Sequence, residues 1–241
     1  MACSCNFERI DSQGRPYEQV DRPLTDDAAR WVMLFRPPLL HPGALYIREV
    51  VLGVGGYRPE YDVAEDYDLW VRLSRVGQLN NLPERLMQYR CHGGSVSSLK
   101  QQRQFGQAAQ IAADYARAAF QIEDGEAVRG LWTLAAGGND GGGVPVRRVL
   151  RVYQAVRARF LDCRTPDRPD LLQWISTYDR WLRWRCGDAA RENLWRPMAA
   201  WRWLRAGRRF DPQAAPIARR LGRRLWDSFR PRKSVMAKPA Q

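Results

Sequence analysis

Residues 41–97 read HPGALYIREVVLGVGGYRPEYDVAEDYDLWVRLSRVGQLNNLPERLMQYRCHGGSVS, the most patterned stretch of a 241-residue chain. At its centre, residues 62–76 place Leu69, Trp70, Leu73 and Val76 on one face at helical spacing, which predicts a helix. Gly77 fits as the left-handed residue that ends it. Residues 44–47 predict a short buried strand, and residues 48–52 one or two helical turns broken by Gly53, Gly55 and Gly56. Residues 57–61 predict an irregular loop. Two short strands, 79–82 and 86–90, are expected on either side of Pro83-Glu84.

Glu65-Asp66-Tyr67-Asp68 opens the Trp70 helix with three carboxylates in four residues, more than capping needs. The first turn of a helix offers N–H groups without intrahelical partners and a positive dipole potential. That setting holds a carboxylate ionised and in place, and such an Asp can take a proton from an attacking hydroxyl. An acidic first turn is also ordinary helix chemistry, and on these four residues alone both readings stand. The flanks narrow the choice. His41-Pro42 precedes the first strand, Gly55-Gly56-Tyr57 comes shortly before Asp66, and Arg90-Cys91-His92-Gly93-Gly94-Ser95-Val96-Ser97 closes the region.

Upstream, Ile10-Asp11-Ser12-Gln13-Gly14 predicts a strand end running into a tight turn. Thr25 is the expected cap of a helix with Asp26 and Asp27 in its first turn. That helix carries Trp31, Val32, Leu34 and Phe35 and stops before Pro37-Pro38. Trp31 and Trp70 are expected in the core.

In this order the elements and motifs of residues 7–98 resemble the C-terminal half of the catalytic domain of glycosyltransferase family 2. Gly-Gly-Tyr, then Glu-Asp-Tyr-Asp-Leu-Trp-x-Arg-Leu, then Arg-x-His-x-x-Ser-x-Ser carry the likeness. The resemblance implies an α/β fold of the GT-A, Rossmann-like type, here as an incomplete half-domain. It implies inverting transfer from a nucleotide-diphosphate sugar to a glycan or lipid-linked acceptor, with a divalent metal, Mg or Mn, on the diphosphate. The residue matching Asp66 is then the general base for the acceptor hydroxyl, and Glu65 shapes the pocket or tunes Asp66. Asp68 faces elsewhere on the helix, and Asp66-Tyr67-Asp68 is not taken as the metal motif. Arg90 suits a diphosphate leaving group. His92 suits a metal or a phosphate oxygen, or is a loop histidine bonded to backbone. Ser95 donates to a phosphate or starts the next turn. His41, Gly56 and Tyr57 support the acceptor site.

The family's N-terminal half, with its nucleotide-binding Asp and the Asp-x-Asp that holds metal and donor, has no counterpart in the 241 residues. The chain alone is therefore expected to be weak or inactive. Further coding sequence upstream, degradation to a fragment, and a separate chain supplying the donor half each account for this.

Residues 1–100 carry 12 Lys+Arg against 13 Asp+Glu, a net of −1, whereas residues 101–241 carry 27 against 13, a net of +14. Eight of the ten Trp also fall after residue 100, so the chain divides into a near-neutral part and a basic, Trp-rich part. The division expected is 1–98 for the half-domain, 99–136 for connecting helices, 137–143 for a Gly-rich linker and 144–241 for a basic helical region. Val146, Val149, Leu150, Tyr153, Val156 and Phe160 share one helical stripe, and residues 171–182 and 217–229 carry further apolar series. A basic amphipathic region suits an anionic membrane surface, or it is a helical bundle packed on the catalytic part. A non-catalytic basic protein that binds membrane or nucleic acid, with a vestigial transferase segment, is the rival reading. No RNP, Cys-His finger or helix-turn-helix signature supports nucleic acid.

The five Cys are scattered, and the Cys3-x-Cys5 pair has no second pair or nearby His to complete a zinc site. No apolar leader opens the chain and no run of about 18 apolar residues is present. A cytoplasmic protein, docked or not at the inner membrane face, is expected.

Overall fold

Residues Ala2–Ile10 form β1, the central strand of a four-stranded mixed sheet. Ala2, Ser4, Cys5, Asn6, Phe7 and Ile10 are all buried, so both faces of this strand are covered. The turn expected after Ile10 forms as read. The Asp11 carboxylate accepts the Gln13 and Arg15 amides, each at 2.9 Å, and Gly14 takes φ +85°. The chain returns as β2 (Pro16–Val20), antiparallel to β1.

The computed structural model describes residues 1–91, 100–137, 142–162 and 169–192, with side chains as far as Leu182. Two compact units divide the chain, Met1–Arg185 and Cys186–Gln241, and every side chain described below lies in the first.

α1 (Asp26–Val32) starts at the expected cap, with the Ala28 amide 3.4 Å from the Thr25 hydroxyl. A 3-10 turn (His41–Gly43) leads into β3 (Leu45–Tyr46), antiparallel to the first residues of β1. This strand was expected to be buried; instead Leu45 is 79% exposed, because its only described strand neighbour is β1 and no layer covers it. α2 (Arg48–Gly53) and a second 3-10 turn (Pro59–Tyr61) precede α3 (Glu65–Leu73). α3 is shorter than residues 62–76. The Pro59 turn occupies the chain before it, and beyond Leu73 the amides of Arg75 and Val76 bond three residues back rather than four.

Gly77 is not left-handed, as had been expected from its place after the helix. The Met1 side chain lies against it, and the next carbonyl, that of Gln78, accepts both the Met1 and Ala2 nitrogens.

The two strands expected around Pro83 are one strand, β4 (Leu79–Arg90), parallel to β1 from Ala2↔Leu79 to Ile10↔Arg90. The register slips between Cys5 and Phe7, where Pro83-Glu84 bulges out. The Asn6 side-chain amide donates to the Pro83 carbonyl at 3.0 Å and bridges the interruption.

Among the described residues four helices follow: α4 (Gln101–Phe120), α5 (Gly125–Ala135), α6 (Val146–Asp162) and α7 (Pro169–Glu192). The α6 stripe read from the sequence is buried throughout. It packs on α1: the Trp31 ring meets Tyr153 at 5.8 Å and Phe160 at 5.3 Å, edge to face. From α7, Tyr178 stacks on Phe35 at 3.8 Å, and Leu171, Ile175 and Leu182 are buried; Leu172 of the same apolar series is exposed. In α6 and the described side chains of α7 the basic region is thus helical and packed on the α/β part, with most of its apolar side inward. Trp31 and Trp70 are fully buried, as expected. The linker expected at 137–143 and the series at 217–229 lie partly and wholly outside the described residues. No helix among the described residues is long and apolar enough to cross a membrane.

Candidate active site

Asp66 sits in the first turn of α3, where no side chain caps the helix, and its Oδ1 accepts the Tyr67 amide at 2.7 Å. It faces a cavity of about 240 Å³ whose walls include Pro37, Gln104, Phe105 and Trp132. Burial pushes the Asp66 carboxyl above its ordinary value of 3.8, and the charge of Glu65 beside it acts the same way. His41, the Tyr67 amide and Arg22 pull against that rise without cancelling it. A carboxylate that is costly to keep charged and opens on a cavity is a stronger proton acceptor than a surface Asp.

The charge of Asp66 reaches both His41 and Tyr57, although neither of them lines that cavity. His41 Nε2 lies 2.9 Å from the Tyr57 hydroxyl, which lies 3.4 Å from that of Tyr46. The His41 ring meets Trp70 edge-on at 6.1 Å. Burial, the Tyr46 contact and the nearby carboxylates push the Tyr57 phenol up, so it keeps its proton and can donate.

Asp68 points the other way and is 2% exposed. Arg72 donates to its Oδ2 at 2.8 Å and also reaches the carbonyls of Val54 and Gly56, each at 2.6 Å; Arg58 pairs with it from the loop before α3. Three segments are tied together: the glycine loop that carries Tyr57, the Arg58 loop, and α3 with Asp66. Gly55 (φ +89°) and Gly56 (φ +63°) supply the left-handed turns that aim those carbonyls at Arg72. The spacing of Gly-Gly-Tyr before Glu-Asp-Tyr-Asp-x-x-x-Arg thus has a mechanical basis.

The structure therefore brings Asp66, Glu65, His41 and Tyr57 within reach of one another's charge, whereas the Gly56 carbonyl is held by Arg72 on the Asp68 side. Arg90 is elsewhere: its guanidinium donates to the Asp11 and Ser12 carbonyls, both at 3.1 Å, and holds the β1–β2 turn. His92 and Ser95 lie outside the described residues. The sequence reading missed Arg22, whose charge reaches Asp66, and the helical residues Phe105 and Trp132 that wall its cavity. Arg22-Pro23 ahead of the Thr25 cap was the only local signal for the first. Nothing local marks the other two, which arrive by tertiary packing. Among the described residues no three His, Cys, Asp or Glu side chains converge as a metal would require, so this part of the chain does not fit the divalent ion that the family likeness implies.

No family model matches the chain, and no solved structure matches it. A curated protein of Haemophilus influenzae described as an uncharacterized glycosyltransferase is 35% identical to it over 92 residues. The match takes in 37% of this chain and 28% of that protein, so the chain spans little more than a quarter of its relative's length. The likeness to a glycosyltransferase therefore stands for part of the chain.

Proposed function

We propose that the Asp66 cluster is the acceptor side of an inverting glycosyltransferase of family 2 with a GT-A type fold. The observation that carries this is a carboxyl with a raised pKa at a helix start, open to a cavity and flanked by His41 and Tyr57. The partial identity to a glycosyltransferase supports the same class.

Asp66 takes the proton of the acceptor hydroxyl as that oxygen forms its bond to the anomeric carbon of a nucleotide sugar. The bond from that carbon to the diphosphate breaks, and its electron pair leaves with the nucleoside diphosphate. Tyr57 donates a hydrogen bond that orients the acceptor, and His41 holds the Tyr57 ring in place. Glu65 keeps the Asp66 proton affinity high. A divalent metal would offset charge on the leaving diphosphate, and its ligands are to be sought outside the described residues.

Turnover is read in the full-length protein that carries the donor half, as acceptor-dependent release of nucleoside diphosphate from a panel of nucleotide sugars. Asp66→Asn is expected to lower kcat by about 10²- to 10⁴-fold with little change in donor affinity. Turnover that survives Asp66→Asn removes Asp66 from the mechanism. A carbon-13 NMR titration gives a readout without activity: the Asp66 carboxyl midpoint is expected above 3.8, and a midpoint at or below it contradicts the site.

A further inference from the structure

Beside the Asp66 cavity lies a second one of about 360 Å³, walled by Phe35, Trp132, Trp174, Tyr178 and Trp181. Phe105 and Trp132 line both, so the two adjoin. The charged side chain in its wall is Arg36, whose guanidinium stands 5.3 Å from the centre of the Trp174 ring. Arg36 Nε is buried without a hydrogen-bond partner, and so is Arg22 Nε. Neither arginine has a carboxylate within ion-pair distance among the described residues, whereas Arg9, Arg30, Arg58, Arg72 and Arg85 do; the Arg22 guanidinium instead donates to the Pro37 carbonyl at 3.1 Å. The two guanidiniums are near enough to repel each other. Two neighbouring cations without a carboxylate, one of them in the cavity wall, are costly, and an anion that reaches them relieves the cost.

We propose that this cavity binds a phosphate-bearing acceptor. The phosphate oxygens accept from Arg36, with Arg22 behind it, and the sugar ring or alkyl chain next to the phosphate lies on Trp174 and Trp181. A guanidinium matches phosphate geometry, and a pair of them matches its charge. Indole faces take either the C–H face of a sugar or an alkyl chain. The assignment rests on Asp66 acting at the acceptor, because the shared wall sets the other end of such a ligand beside that carboxyl.

The test uses the whole chain without donor, so that turnover does not enter. Glucose 1-phosphate, octyl phosphate and inorganic phosphate are titrated by calorimetry, with glucose and octanol as uncharged counterparts. One or both organic phosphates are expected to bind, more tightly than inorganic phosphate and than their counterparts, and to change the tryptophan fluorescence in the parent but not in Trp174→Phe. Preference for the sugar phosphate assigns a glycan phosphate, and preference for the alkyl phosphate a lipid phosphate. Arg36→Gln is expected to weaken binding roughly 10- to 100-fold, with Arg36→Lys between it and the parent. Trp181→Ala, which leaves both arginines in place, is expected to remove the advantage of the organic over the inorganic phosphate. No binding by any phosphate, equal binding by the uncharged counterparts, or affinity unchanged in Arg36→Gln overturns the site. Should Asp66→Asn keep full turnover while the phosphates bind as stated, the base assignment fails and the anion site remains.

Discussion

Asp66 and Asp68 are two residues apart on one helix, yet their surroundings give them opposite work. Asp68 is met by Arg58 and Arg72 and braces the loop that carries Tyr57. Among the described residues Asp66 has no such partner at contact distance, and burial dominates its chemistry. A carboxyl whose folded pKa lies above its unfolded value loses stability for the fold as pH rises above 3.8, because the unfolded chain gives up the proton first. The loss is absent below that pH and levels off once the folded group also ionises. Asp66→Asn cannot ionise, so its melting temperature is expected to match the parent near pH 3.8 and to exceed it increasingly toward neutral pH. A variant less stable than the parent at neutral pH contradicts this. Asp68→Asn has the opposite sign. It leaves Arg72, 12% exposed, without its charge partner, and is expected to cost about 3 kcal/mol in chemical denaturation. An unchanged midpoint would mean that water replaces the pair.

At the scale of elements, the start of α1 depends on α7. Asp170 Oδ2 accepts the Leu24 amide at 3.0 Å, the Thr25 amide at 2.9 Å and the Thr25 hydroxyl at 2.9 Å. The cap read from Thr25 alone is therefore half of a device whose other half lies about 145 residues away. Asp170→Ala is expected to lower stability by about 2 kcal/mol, since charge-assisted bonds to a helix start are lost together. Hydrogen exchange should show the loss first in α1, and exchange unaltered there would put the anchor elsewhere. β4 makes the same point from another side. Pro83 predicts a break when the strand is taken alone, whereas Asn6 on β1 bridges it as a bulge.

For the molecule as a whole, the basic helices belong to the fold. Trp31, fully buried, is enclosed by Tyr153 and Phe160 of α6, and Phe35 by Tyr178 of α7. Ending the chain after Gly137 would uncover these rings together. Such a chain is expected to bind a hydrophobic dye and to lose its cooperative unfolding transition. Cooperative unfolding of residues 1–137 would show instead that the helices are an accessory. The same packing bears on the membrane reading: the apolar stripes that made α6 and α7 look surface-seeking are already in use inside the first unit.

The sequence by itself determined what short range controls: the Asp11 turn, the Thr25 cap, the α6 stripe, the buried Trp31 and Trp70, and the grouping of Glu65, Asp66 and Tyr57 near one helix start. Turn chemistry, capping and periodicity act over a few residues, so they are written locally. Tertiary structure alone decided that β3 is exposed, that Arg90 serves a turn, that Phe105 and Trp132 wall the Asp66 cavity, and that Arg36 walls the one beside it. Each of these depends on which distant side chain arrives, and burial and charge pairing are set by that arrival rather than by neighbours along the chain.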